Sequence, residues 1–200
     1  MGSVFGPLLP GPRVTLIPPR TEFLPQYLHW LSDTRVTKYL MMRAPFSLER
    51  EKDWFENTSK DPNSYFWAAM RNNAKGLEGE LIGNCGLGGI DWRHRHGTFG
   101  FMIGEPDQWG QGLGTEMVQL VLAYAFRELG LEKVCSAVIA PNEASLKAHL
   151  RAGFGECGVW RRHLWFRGTW HDECRLEVLR EEWEAKHGAA ALWPPADSSP

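Results

Sequence analysis

The stretch Gln108-Trp109-Gly110-Gln111-Gly112-Leu113-Gly114-Thr115-Glu116 decides how the rest of this 200-residue chain is interpreted. It places glycine at three alternate positions, directly before a segment with the apolar spacing of a helix. Glycine lets a backbone approach a ligand closely and adopt positive φ. The first N–H groups of a helix have no partner within it, and they attract anions. The stretch therefore predicts a phosphate-bearing ligand held by main-chain N–H groups.

The segments on either side of this glycine loop predict a strand, a loop and a long helix in succession. Residues 98–103 are mostly apolar and predict a strand. Residues 112–129 carry apolar side chains at steps of three and four, which predicts a helix with one buried face. A further strand at residues 133–139 and a helix at residues 143–151 follow.

The whole chain predicts an α+β fold in a single domain. Seven strands are predicted, at residues 13–17, 65–70, 81–90, 98–103, 133–139, 160–166 and 170–178. With helices between them, this order predicts a central mixed, mostly antiparallel sheet of about seven strands flanked by helices. The domain is expected to span residues 13–187, with a flexible N-terminal segment at 1–12 and a flexible C-terminal tail at 188–200.

Composition excludes several classes of partner. The net charge is −2, so no basic excess indicates nucleic acid binding. No apolar run approaches the roughly 18 residues of a membrane span, and the N-terminus lacks the pattern of a signal peptide. The four cysteines show no CxxC spacing, so we expect free thiols, no metal site and a reducing compartment, the cytoplasm.

Three kinds of anion-binding loop compete for the glycine stretch. A P-loop requires Lys after its glycines, and none is present here. The spacing Gly110-x-Gly112-x-Gly114 does not fit the GxGxxG fingerprint of dinucleotide binding, although Glu132 lies about where an acidic ribose ligand would. The pyrophosphate loop of acyl-CoA-dependent transferases, (Q/R)xxGxG, is matched at its glycines by Gly112 and Gly114, whereas Trp109 occupies its first position. A dinucleotide-dependent oxidoreductase is kept as an alternative.

Residues 83–183 resemble the GNAT superfamily of N-acetyltransferases, in the branch that acetylates ribosomal-protein N-termini, polyamines and related amines. Four motifs carry the resemblance. They are the glycine loop itself, Asn142-Glu143-Ala144-Ser145 with Leu150-Arg151-Ala152-Gly153-Phe154 after it, Gly168-Thr169-Trp170-His171-Asp172, and Leu179-Arg180-Glu181-Glu182-Trp183. Their order along the chain makes the combination specific.

The resemblance implies acetyl-CoA as the donor and a sheet that splays between its fourth and fifth strands. The pantetheine arm is expected in that gap, and the pyrophosphate on N–H groups at the start of the long helix. The residues that the resemblance assigns to the cofactor are Phe101, Met102, Ile103, Gln108, Gly110, Gln111, Gly112, Leu113, Gly114, Thr115, Asn142 and Ser145.

The implied reaction is direct attack of a neutral amine on the thioester. Where many family members have an acidic Tyr this chain has His149, which becomes the candidate acid. The strand position that often holds a basic Glu is Thr98, so the nearby Glu105 becomes the candidate base. We interpret Asp91, His94 and His96 as parts of a solvated turn.

The acceptor implied by the resemblance is a primary amine, either a small molecule or a protein N-terminus. Its pocket is expected between the first two helices and the last hairpin, with aromatic side chains available for cation–π contact. The candidate lining residues are Trp30, Tyr39, Trp67, Trp92, Trp160 and Trp165. The missing Tyr and Glu keep open a non-catalytic acyl-CoA-binding or sensing module, and a homodimer is one possible assembly.

Overall fold

A mixed eight-stranded sheet is the frame of the fold in the computed structural model, which describes residues 5–40, 46–73 and 78–188. The strands are β1 (Leu9–Pro10), β2 (Val14–Ile17), β3 (Tyr65–Asn72), β4 (Glu78–Asp91), β5 (His96–Ile103), β6 (Lys133–Ile139), β7 (Gly155–Phe166) and β8 (Thr169–Leu179). The helices are α1 (Leu24–Ser32), α2 (Leu48–Thr58), α3 (Leu113–Arg127), α4 (Glu143–Ala152) and α5 (Arg180–His187). Short 3₁₀ turns lie at Thr21–Phe23, Thr37–Tyr39 and Pro106–Gln108.

The strands follow the order β1-β2-β3-β4-β5-β6-β8-β7 across the sheet. Strands β5 and β6 run parallel, and the other described neighbours run antiparallel. The predicted α+β class and mostly antiparallel mixed sheet are therefore confirmed. The parallel pair arises because α3 carries the chain back across the sheet between β5 and β6.

The N-terminal segment contains a strand that the sequence did not predict. Leu9 and Pro10 pair with Leu16 and Thr15, and the Leu9 side chain is fully buried. Two residues among prolines and glycines show no periodicity, so residues 1–12 were expected to form a loop. At the other end, the predicted tail lies outside the described residues apart from Gly188.

Helix α3 occupies the centre of the molecule. It packs on β2, β5 and β6 and against α4. Met117, Leu120 and Val121, which the spacing predicted to face the core, are fully buried. Its start is therefore fixed rigidly against the sheet. A second apolar cluster joins α1 and α2 through Tyr27, Trp30 and Trp54.

The parallel pair separates after three residues, which confirms the predicted splay. His96, Gly97 and Thr98 pair with Lys133, Val134 and Cys135, and the two strands then diverge. At the point of divergence the Ser136 hydroxyl donates to the Phe99 carbonyl over 3.0 Å. The side chain thus satisfies a backbone acceptor where main-chain pairing across the two strands has stopped.

A buried carboxylate ties the start of β2 to α3 and the glycine loop. Glu116 is 5% exposed and accepts the backbone N–H groups of Arg13 and Val14 over 2.7 and 2.9 Å. The Arg13 side chain donates its Nε to Glu116 over 2.8 Å and its Nη1 to the Gln111 carbonyl over 2.9 Å. These hydrogen bonds connect the glycine loop to the residues at the start of β2 and restrict its movement.

Replacing Glu116 with alanine is expected to destabilise the fold by about 1–3 kcal/mol, because the backbone N–H groups of Arg13 and of the buried Val14 lose their acceptor. Urea unfolding measures this. Glu143→Ala is the matched control, since Glu143 forms an exposed ion pair with Lys147, and it should leave the unfolding midpoint unchanged. Equal midpoints for the two variants would contradict the bracing role.

Candidate functional site

A cavity of about 670 Å³ opens where β5 and β6 part. One end is formed by the separated strands and the start of α4, and it includes Phe101, Ser136 and His149. The other end is walled by α1, α2, β3 and β4. The hairpin of β7 and β8, which was expected to form one wall, contributes none of the described lining residues. The gap in the sheet is therefore continuous with a compartment beneath the first two helices.

The glycine loop has the geometry that its spacing predicted. Gly110 and Gly112 have φ values of 74° and 79°, which side chains other than glycine rarely adopt. A Cβ on Gly114 would lie 2.7 Å from the Phe101 ring, so only glycine lets α3 approach β5 this closely. Gly112 caps α3 without any side-chain hydrogen bond to its first turn. The first N–H groups of the helix thus face outward for an anion.

The other loop residues hold this arrangement from its flanks. The Gln111 side chain donates to the Asp107 carbonyl over 2.8 Å, and Gln108 closes the 3₁₀ turn that precedes the glycines. Thr115 lies in the first turn of α3. Along β5, Met102 lines the cavity, whereas the Ile103 carbonyl accepts a hydrogen bond from the Trp109 indole over 2.9 Å.

The start of α4 forms the opposite wall of the gap. Asn142 caps this helix, because its side chain accepts the Ser145 N–H over 3.3 Å. Both residues line the cavity. The structure therefore brings the predicted Asn142 and Ser145 to the same opening as Phe101 and Met102.

His149 lies one turn further along α4 and is buried, at 2% exposure. Its Nδ1 is 2.8 Å from the Ser145 carbonyl, so Nδ1 carries a hydrogen, and its Nε2 is 2.9 Å from the Ser136 hydroxyl. Burial lowers the pKa of His149, while the bond to the Ser145 carbonyl opposes that shift. The imidazole is therefore mainly neutral near pH 7.

The hydrogen bonds around Ser136 depend on the charge of His149. The single hydroxyl hydrogen of Ser136 cannot serve both the Phe99 carbonyl and a bare Nε2. All three bonds form together only when His149 is protonated on both nitrogens. Burial thus favours the neutral ring, and the surrounding bonds favour the charged one.

Glu105 lies apart from His149. Its Oε1 accepts hydrogen bonds from the side chains of Gln26 and Trp30, each over 2.8 Å. It lines a neighbouring groove rather than the cavity, so the two candidate catalytic residues are not brought together. Through these hydrogen bonds Glu105 connects the segment after β5 to α1, a structural role that the sequence did not predict.

The aromatic lining also differs from expectation. Tyr39 lines the cavity, as predicted. Trp30 and Trp67 are buried in the core, and Trp92, Trp160 and Trp165 lie on the surface. The aromatic rings that reach the cavity instead include those of Tyr27, Phe46, Trp54 and Phe66.

Glu51 is an acidic lining residue that the sequence analysis did not single out. It is 6% exposed, and its carboxylate forms no ion pair or hydrogen bond with the residues that the structure describes. Burial raises the pKa of this carboxyl group, although the charge of Arg50 opposes the shift. A usable signal was present, since Glu51 lies three residues from both Leu48 and Trp54, on the apolar face of α2.

Asp91, His94 and His96 lie at the turn between β4 and β5, at the paired end of β5. They offer ligand atoms within 4.8 Å of one another. Asp91 also accepts the backbone N–H groups of Arg93 and His94, and its Oδ2 lies 2.9 Å from His94 Nδ1. The hydrogen bond to His94 lowers the pKa of Asp91 to about 2. The group thus closes the turn internally, and the expected absence of a metal remains a prediction.

Comparison with known proteins identifies relatives of this chain. The family described as "Acetyltransferase (GNAT) domain" matches residues 13–155. The uncharacterized N-acetyltransferase YoaA of Bacillus subtilis (strain 168) is 29% identical over 152 residues, covering 74% of this chain and 83% of the relative. The FsC-acetyl coenzyme A-N(2)-transacetylase of Aspergillus fumigatus is 27% identical, covering 88% of this chain and 78% of the relative.

Solved structures share the fold. A spermidine N-acetyltransferase from Vibrio cholerae, in complex with CoA and spermine, superposes with a TM-score of 0.78 at 20% identity and covers 86% of this chain and 99% of its own. At that identity the likeness concerns the fold alone. Within the described residues, no helix combines the length and apolar character needed to cross a bilayer.

The pH dependence of stability should report the burial of His149. Because burial lowers its pKa below the ordinary value near 6.5, the unfolded chain binds more protons, and stability falls as pH drops below about 6.5. Thermal melts across this range should show a shallower loss for His149→Gln, which cannot titrate. Parallel curves for the variant and the natural protein would contradict the lowered pKa.

Proposed function

The chain belongs to the GNAT acetyltransferase family, and from that premise we propose how its cavity joins donor and acceptor. It is an acetyl-CoA-dependent N-acetyltransferase that acts on an amine. The observation that carries the proposal is the continuity of the cavity, from the parted strands to the aromatic compartment. We propose a small-molecule primary amine as acceptor, because that compartment lies beneath α1 and α2.

The donor fits the chain at two places. The start of α3 has no side-chain cap, and Gly110 and Gly112 are in left-handed conformation. It would hold the diphosphate through N–H groups from Gln111 to Thr115. The pantetheine arm would follow Phe101, Met102 and Ile103 into the gap, with Asn142 and Ser145 on the other side. Gln108 would fix the approach to the loop. The support is the opening between β5 and β6.

The bound donor supplies an activated thioester, and the chain supplies alignment and proton transfer. Holding the thioester in the gap and the amine in the compartment would replace a bimolecular encounter with a fixed geometry. Backbone N–H groups of β5 beyond Thr98, where its pairing with β6 ends, would polarise the carbonyl. The buried setting strengthens such hydrogen bonds.

We assign the proton donor to His149 acting through Ser136. When His149 is protonated, Nε2 donates to the Ser136 hydroxyl. As Nε2 passes its proton to that oxygen, the hydroxyl hydrogen would leave the Phe99 carbonyl and go to the leaving sulfur. The lowered pKa makes the imidazolium a stronger acid than an exposed histidine. Glu105 is not assigned the role of base, because it lies outside the cavity and holds α1.

Gly112→Asp is expected to weaken CoA binding at least tenfold, about 1.4 kcal/mol. The new carboxylate would repel the diphosphate and would itself cap the first-turn N–H groups of α3. Isothermal titration with CoA measures the affinity. The matched control is Gly168→Asp, at a left-handed glycine in the β7–β8 turn with φ 78°, which should bind CoA normally. Unchanged affinity in Gly112→Asp would contradict the assigned anion site.

Turnover separates the enzyme from a sensing module. Release of CoA thiol in the presence of a panel of primary amines is expected for the natural protein. Binding of acetyl-CoA without turnover on any amine would favour the non-catalytic alternative.

We also propose that the protein functions in a reducing compartment such as the cytoplasm. The free thiols of all four cysteines support this localisation.

We propose a homodimer formed through β7, which is an edge strand of the sheet. Val159, Trp160 and Trp165 are exposed there, and unpaired edges with apolar side chains favour association. Sedimentation should give a dimer that Trp165→Lys dissociates. Trp92→Lys, at an exposed tryptophan outside β7, is the control. A monomeric natural protein at micromolar concentration would overturn the proposal.

A further inference from the structure

Glu51 is a largely buried residue that lines the cavity, and its carboxylate forms no ion pair or hydrogen bond with the residues that the structure describes. We propose that Glu51 binds the acceptor's ammonium group and takes its first proton. We further propose that the acceptor is an apolar amine with a single positive charge. Both statements rest on the proposed function, the acetylation of an amine. The proposal goes beyond the family assignment because it names both the residue and the class of amine. It rests on the position, burial and surroundings of this carboxylate.

The position of Glu51 favours a role in binding a ligand over a role in stabilising the fold. Removing a carboxylate from water without a partner is costly. Glu116 and Glu105 avoid this cost through hydrogen bonds from the protein. Glu51 has no such bond among the described residues, and it lines the cavity. An ammonium group entering the cavity would supply the missing partner.

Tyr27 provides a second polar group without a partner at the same place. It is 1% exposed, and its hydroxyl forms no hydrogen bond with the residues described. Burial raises the pKa of Tyr27, with smaller contributions from Cys85 and the nearby charge of Glu51. The hydroxyl therefore stays protonated, and it can accept a hydrogen bond from an ammonium group or donate one to Glu51.

The walls around these two groups select the rest of the acceptor. The described lining of this end is otherwise mainly apolar, and it includes Leu31, Tyr39, Phe46, Trp54, Phe66 and Met102. Trp54 packs edge-on against both Tyr27 and Phe66, with ring centroids 6.4 and 4.7 Å apart. These rings offer an apolar body a large contact area.

A polyamine would fit this compartment poorly. Among the described lining residues, Glu51 is the sole carboxylate. A second ammonium group would therefore lie against mainly apolar walls, and its lost hydration would not be replaced. An arylalkylamine places one charge at Glu51 and its ring among the aromatic side chains.

The protons balance in the proposed step. Glu51 takes the first proton from the ammonium group, which frees the nitrogen lone pair to attack the thioester carbonyl. The C–N bond forms and the C–S bond breaks. The sulfur takes one proton from the Ser136–His149 pair, which the second proton of the amine replaces. One proton is thus released to water through Glu51 for each acetyl group transferred.

The test compares phenethylamine and tryptamine with spermidine as acceptors, followed by release of CoA thiol. The natural protein should show a kcat/KM at least tenfold higher for the two arylalkylamines. Glu51→Gln should lower that kcat/KM by roughly 10²–10⁴, the range for loss of a general base, while the Kd for acetyl-CoA stays unchanged. Glu56→Gln, an exposed position on α2 that pairs with Lys60, should behave as the natural protein.

The outcomes separate this inference from the proposed function. Preference for spermidine, or full activity of Glu51→Gln, would overturn the inference while leaving acetyl transfer intact. No turnover with any amine would instead overturn the proposed function. If Glu51→Gln fails to bind acetyl-CoA, the preference of the natural protein decides alone, because that comparison requires no variant.

Discussion

The site depends on the separation of β5 from β6, and the hydrogen bond from Ser136 to the Phe99 carbonyl lies where the two strands part. A parallel strand pair normally continues to its end because each backbone group needs a partner. Here pairing stops after Thr98 and Cys135, and a side chain satisfies the acceptor instead. The resulting gap creates the cavity, and the same hydroxyl contacts His149. One serine therefore links sheet geometry to the chemistry proposed at the gap.

Three glutamates show how partners determine the task of a carboxylate. Glu116 accepts three hydrogen bonds and braces the glycine loop. Glu105 accepts two and fastens α1 beside the start of that loop. Glu51 has none from the described residues, yet it is as buried as Glu116. A carboxylate with hydrogen-bond partners stabilises the fold, whereas one without such partners that faces a cavity can bind a cation.

The sequence predicted those features that local patterns determine. The spacing of glycines required left-handed turns at Gly110 and Gly112, and the apolar period of α3 identified its buried face. The splay followed from the family resemblance. The partners of Glu105 and the isolation of Glu51 could not be predicted in this way, because they depend on which helices pack over the sheet. Burial of Leu9 likewise depends on pairing with a distant strand.

A crystal structure of the protein with bound CoA tests the central claim most directly. The account predicts the diphosphate at the start of α3 and the pantetheine arm between β5 and β6, with its sulfur near Ser136 and its end directed toward the compartment of Glu51. A complex in which β5 and β6 pair along their whole length, or in which CoA binds elsewhere, would contradict it.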